Sequence, residues 1–238
     1  MNTSINHKNT TIMKKALLVF IIIVTAVSGG IYVQAKLQGK SKKKLITKEI
    51  PNGLEDAEVF RDGDIIFQKS LSRQCKAVQI ATNSPYSHCG IIYNNDGELF
   101  VFEAIQPVKI TPFEEWIARG EKEHYVVKRL KNADQILTHD VVERMRKEGN
   151  RMMDKNYDIT FEWSDDRIYC SELVWKLYKR AAGIEVGKLE KLGDFNLSDK
   201  TVKAIIKERY GNNVPLNETV ISPKSIFDSE LLSTVVSK

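Results

Sequence analysis

Cysteine is scarce in this chain, and what there is does not pair. Among 238 residues only Cys75, Cys89 and Cys170 carry a thiol. An odd, widely spaced set makes a poor disulfide framework, and without a CxxC step it lacks the pairing of structural zinc sites. At least one thiol is therefore expected to stay free. Internal repeats and low-complexity tracts are also missing, which argues against a solenoid or a biased, disordered chain. A broadly basic surface is absent as well. The net charge is +5, but the lysines crowd between Lys36 and Lys48, so the excess is local and no nucleic-acid partner is expected.

What is present starts with an atypical N-terminus. A basic head containing Lys8, Lys14 and Lys15 precedes an apolar run from Ala16 to Val33. Residues 1–35 read as a signal peptide or a membrane anchor: Val33-Gln34-Ala35 resembles a signal-peptidase site, while a run of about 18 residues just suffices to span a bilayer. Both alternatives place the rest of the chain at the membrane or outside the cytoplasm. The lysines that follow run against the usual bias for positive charge on the cytoplasmic side. Residues 36–53 form a basic linker, and 54–238 hold one domain, because 42% hydrophobic residues suffice for one substantial core.

Within that domain, Asp62-Gly63-Asp64 followed by Ile65-Ile66-Phe67 reads as a turn and a buried strand. Ser72 to Thr82 has weak helical spacing. Two β-rich runs, Ser87 to Tyr93 and Glu98 to Ile105, flank Asn94-Asn95-Asp96-Gly97, whose residues favour positive φ, so they form a hairpin. Further on, helices are expected over Phe113–Ala118, Thr138–Met153, Cys170–Ala182 and Ser198–Tyr210, with a strand over His124–Leu130 and a loop through Pro215 and Pro223.

The hairpin makes His88 and Glu103 notable. A four-residue loop sets them directly opposite; a two-residue Asp96-Gly97 loop sets Glu103 opposite Gly90 and makes the pair diagonal. In both registers they share a face, within reach of a carboxylate–imidazole hydrogen bond. Cys89 alternates to the other face, which favours a buried structural role. Cys170 opens a helix whose apolar positions Val174, Leu177 and Ala181 place the thiol inward in the first turn, where the helix dipole and free N–H groups favour a thiolate and can hold an oxyanion. His88, Cys89 and Glu103 make a weak metal set, because adjacent strand residues point apart; no metal and no cofactor is expected. His124 and His139 show no partner.

Taken together, Tyr86-Ser87-His88-Cys89-Gly90-Ile91, Phe102-Glu103-Ala104, Tyr157-Asp158 and Tyr169-Cys170-Ser171-Glu172-Leu173-Val174-Trp175 resemble the circularly permuted papain-like hydrolases of the YiiX/YaeF type, relatives of the NlpC-type peptidases. The resemblance covers about Leu54 to Phe227. It implies an α+β fold with an antiparallel sheet of five or six strands packed against the nucleophile helix, and a triad of Cys170, His88 and Glu103. The function it implies is thiol-dependent hydrolysis of an amide, with peptidoglycan peptides in the cell envelope as a fitting substrate. Lipid acyl hydrolysis or transfer, and a non-catalytic envelope binding module, are the alternatives. Residues 187–213 form a longer insert than the resemblance leads one to expect.

Overall fold

Asp96 and Gly97 both adopt positive φ, 52° and 92°, and this two-residue turn sets the register of the strands around the site. The computed structural model describes residues 59–238. The segment 1–35, the linker and the first residues of the expected domain lie outside the described residues.

The order of elements is β1 (Ile65–Ser70), α1 (Arg73–Thr82), β2 (His88–Asn95), β3 (Glu98–Glu103), β4 (Lys109–Pro112), α2 (Phe113–Ile117), β5 (Gly120–Leu130), α3 (Ala133–Ile136), α4 (His139–Met152), α5 (Cys170–Ala182), β6 (Glu190–Lys191), a 3₁₀ turn (Leu192–Asp194), α6 (Lys200–Tyr210), β7 (Thr219–Val220), α7 (Pro223–Phe227) and β8 (Leu232–Ser237). Six strands form one sheet in the order β4-β3-β2-β1-β5-β8, antiparallel throughout. The α+β architecture expected from the sequence is the one observed.

Both faces of the central strands are covered, which explains why Ile65-Ile66-Phe67 and Ile91-Ile92 are unbroken apolar runs and not alternating ones. One face presents Phe67, Cys89, Ile91 and Phe102 to Met145 of α4 and to Leu173, Val174 and Leu177 of α5. The other presents Ile66, Ile92, Val101 and Val127 to Phe60, Phe113 and Trp116. Fully burying a side chain of this size contributes about 1.5–3 kcal/mol, so the two layers together fix which face each strand residue takes.

The helices begin where their caps dictate. Ser72 caps α1, its Oγ accepting from the Cys75 N–H at 3.1 Å, and Asp199 caps α6 by accepting from Thr201 N–H at 2.7 Å. Gly183, at φ 73°, ends α5 in the left-handed conformation that glycine adopts without strain. Besides β4, α3 and the short pair β6–β7, which the sequence expectation leaves unassigned, three stretches depart from it. β5 begins at Gly120, four residues before His124, the stretch around Pro223 is the short helix α7, and the C-terminus adds the edge strand β8. The proline explains the second: it occupies the first turn of α7, where its missing N–H has no helical partner to lose.

Candidate active site

The observed hairpin register is the two-residue one: Ile91 pairs with Phe102 and Asn95 with Glu98. One further step in that register sets Gly90 against Glu103. A Cβ at Gly90 would come within 2.5 Å of Val101 Cγ1 and 2.8 Å of the Phe102 carbonyl oxygen, so glycine is required for this close approach. Glu103 then reaches diagonally to His88, whose Nε2 lies 2.6 Å from Glu103 Oε2. His88 also stacks on Trp116 of α2, ring centroids 5.8 Å apart and planes 24° off parallel.

Glu103 is fully buried and multiply held. Thr111 Oγ1 of β4 donates to its Oε1 at 2.6 Å, and Arg119 donates to the same oxygen from the half-exposed edge. Burial alone would raise this carboxyl, but the hydrogen bonds from His88 and Thr111 and the charges of His88 and Arg119 outweigh it and hold Glu103 down at about 2. The carboxylate is thus a fixed negative charge behind the imidazole. For the ring, burial disfavours the cation; the neighbouring Cys170 sulfur and Glu103 override that and lift His88 to about 10.

Cys170 is the first residue of α5, preceded by Tyr169 as the cap residue, whose N–H is accepted by the Glu172 carboxylate at 3.2 Å. Cys170 is 3% exposed. The Cys89 thiol set against it has the largest influence and lowers its pKa; burial opposes this, and the His88 imidazole and the Cys89 N–H add to the lowering. The net direction is well below an ordinary thiol, so with His88 raised the pair rests as thiolate and imidazolium. Cys89 moves the other way. Burial and the adjacent Cys170 thiolate push it well up, so it stays protonated and can donate.

The alternation argument for Cys89 therefore holds in geometry, since it is buried on the face opposite His88. What the sequence did not indicate is that this is the face α5 packs on, so Cys89 adjoins Cys170 and does more than fill space. Asp158 and Glu172, the other carboxylates near the Cys170 motif, are occupied elsewhere. Asp158 accepts from the N–H groups of Thr160 and Glu162 at 2.9 and 2.6 Å. Glu172 lies 2.6 Å from Lys176 Nζ, and burial raises it to about 7. His139 is exposed on α4, 3.8 Å from Asp140.

Tyr157 completes the surroundings of the sulfur. Its hydroxyl accepts from Gln74 Nε2 at 3.2 Å, and burial, followed by the charge of Cys170, keeps the phenol protonated. Because the Gln74 amide donates to this oxygen, the phenolic hydrogen is left to point at the Cys170 sulfur, with which the phenol is hydrogen-bonded. Arg209 of α6 in turn donates to Gln74 Oε1 at 2.7 Å. The 187–213 insert thus packs α6 on α1, through Ala77, Val202 and Ile205, and reaches the site through Arg209 and through Phe195, which lines the space beside Cys170.

Residues 59–236 match the model of the family described as permuted papain-like amidase enzyme, YaeF/YiiX, C92 family. The chain belongs to this family. Among its relatives, the protein YiiX of Escherichia coli strain K12 is 49% identical over 173 residues, covering 73% of this chain and 84% of that one. A crystal structure of yiiX from Escherichia coli O157:H7 superposes with a TM-score of 0.72 at 48% identity, covering 76% of this chain and 98% of that one. These permuted papain-like amidases carry a cysteine amide hydrolase scaffold, and the present chain shares its fold. The Escherichia coli structure is described as that of a metalloprotein. Among the described residues of this chain no group of three or more His, Cys, Asp or Glu side chains is gathered as a ligand set.

Proposed function

We propose that the chain hydrolyses an amide bond through an acyl-enzyme on Cys170, with His88 as the proton carrier and Glu103 as the group that orients it. The observation that carries this reading is the line from Glu103 through His88 to Cys170. The 2.6 Å carboxylate contact occupies Nε2 and leaves Nδ1 for the sulfur, and the sulfur sits at a helix N-terminus.

In the reading, the Cys170 thiolate attacks the carbonyl carbon and forms the carbon–sulfur bond while the carbonyl electron pair moves onto oxygen. N–H groups of the first turn of α5, which have no acceptor within the helix, and the Tyr157 phenol beside the sulfur are the donors available to that oxyanion. The His88 imidazolium then gives its proton to the amine nitrogen as the carbon–nitrogen bond breaks. Water enters, His88 takes a proton from it, and the hydroxide displaces the thiolate to release the acid. Glu103 stays ionised throughout, fixing the tautomer and balancing the charge on the ring.

An envelope substrate is the reading that the basic head and apolar run in residues 1–35 support; a reporter fused to residues 1–48 should be carried out of the cytoplasm. Cytoplasmic reporter activity would remove that placement and leave the chemistry standing. For the chemistry itself, the full chain is incubated with muropeptides and with phospholipids and the products are weighed by mass spectrometry. Amide cleavage that disappears in Cys170→Ala and His88→Ala is the expected outcome. Turnover that survives Cys170→Ala would overturn the reading.

A further inference from the structure

Two spaces flank the site, and they differ in chemistry. Cys170 lines an apolar cavity of about 90 Å³, walled by Val78, Phe161, Phe195, Val220 and Ile221. His88 lines a more open groove of about 670 Å³, together with Gln68, Gln74, Gln106 and Arg119. Tyr157 borders both and separates them.

Most hydroxyl oxygens around the cavity already hold a hydrogen bond within the protein. Ser171 Oγ donates to the Ile221 carbonyl at 2.7 Å, and Thr82 Oγ1 to the Val78 carbonyl at 2.8 Å. Tyr169 Oη accepts from the Ile221 N–H at 3.1 Å, Ser222 Oγ from the Ser225 N–H at 3.0 Å, and Ser87 Oγ from the Ser70 N–H at 3.1 Å. Lys and Arg are missing from the lining, so an anionic substituent would enter without an opposite charge to offset its desolvation.

We propose that this cavity is the acyl subsite and takes a short, uncharged aliphatic acyl group, while the amine portion of the substrate lies in the His88 groove. The assignment of sides follows from the reaction and rests on Cys170 being the nucleophile. The group that stays on sulfur must occupy space that the sulfur lines. The departing nitrogen must be where His88 can protonate it. Size limits the acyl group, since the cavity is well below the roughly 300–1,000 Å³ of pockets that hold drug-sized ligands.

Chloromethyl ketones test this without turnover, because the thiolate displaces chloride to form a thioether while the ketone substituent stands in for the acyl chain. Three are compared on the full chain by peptide mapping at Cys170: methyl, butyl, and a carboxylate-ended chain of similar length to butyl. Butyl should react faster than methyl by up to about fourfold per buried methylene, and the carboxylate-ended reagent should be the slowest. Val78→Phe should lower the butyl-to-methyl ratio and Val78→Ala should preserve or raise it. Both rates come from one preparation, so partial unfolding lowers both and leaves the ratio intact. Equal rates for butyl and carboxylate reagents, or a ratio indifferent to Val78→Phe, would overturn the acyl subsite while leaving Cys170 as nucleophile. Failure of Cys170 to react with any of the three would overturn the nucleophile assignment and the subsite with it.

Discussion

His88 and Glu103 meet on a diagonal: Nε2 lies 2.6 Å from Oε2 although the strand register pairs His88 with Gln68 on its other side. The contact depends on a glycine at position 90, where any side chain would strike Val101. Replacing Glu103 with Gln keeps the volume and a neutral hydrogen-bond partner. It should therefore preserve the fold and lower kcat less than Cys170→Ala or His88→Ala, because an orienting group is partly replaceable. Steady-state kinetics of the three variants decide it. An unchanged kcat in Glu103→Gln would remove Glu103 from the mechanism.

Two buried glutamates should give opposite pH dependence of stability. Glu103 is held at about 2 against about 4.3 for an unfolded glutamate, so its stabilisation is present above about 4.3 and is lost as pH falls through about 2. Glu172 is raised to about 7, so the folded state binds its proton more tightly; stability is greatest below about 4.3 and declines as pH rises toward about 7. Urea midpoints across the two windows should lose the acid-side decline in Glu103→Gln and the neutral-side decline in Glu172→Gln. Profiles parallel to the parent protein would contradict the assigned shifts.

The Tyr157 hydroxyl receives the Gln74 amide and can offer its own hydrogen to an oxyanion. Tyr157→Phe removes that donor and little volume, so kcat should fall by about 10²-fold with KM changed far less. If kcat stays within a factor of two of the parent while KM rises, Tyr157 contributes to binding only.

Much of this site was legible because it is local in sequence. The turn residues Asp96-Gly97 fix the hairpin, period-two alternation puts His88 and Glu103 on one face, and the apolar spacing after Cys170 turns the thiol inward. The remainder depends on contacts far apart in the chain, which periodicity does not encode. Thr111 and Arg119 reach Glu103 from β4 and from the turn after α2, and Arg209 reaches Gln74 across 135 residues. Cys89 was placed on the correct face, yet its proximity to Cys170 required knowing which layer α5 covers. The strand β8 lies at the sheet edge, where Leu232 is buried and Ser233 and Thr234 are exposed, and so short and half-polar a segment carries little signal of its own.

Cys170 and Cys75 set reactivity against exposure, and their labelling order tests the central claim most directly. Cys170 is 3% exposed, whereas Cys75 is half-buried on α1. Brief treatment of the full chain with limiting iodoacetamide near neutral pH, followed by peptide mapping, reads which thiol reacts first. A thiolate held by Cys89, His88 and the N-terminus of α5 should be alkylated ahead of Cys75 and Cys89 despite its burial, and His88→Ala should abolish that lead. Labelling that follows exposure, with Cys75 modified first and Cys170 inert in the parent protein, would contradict the account.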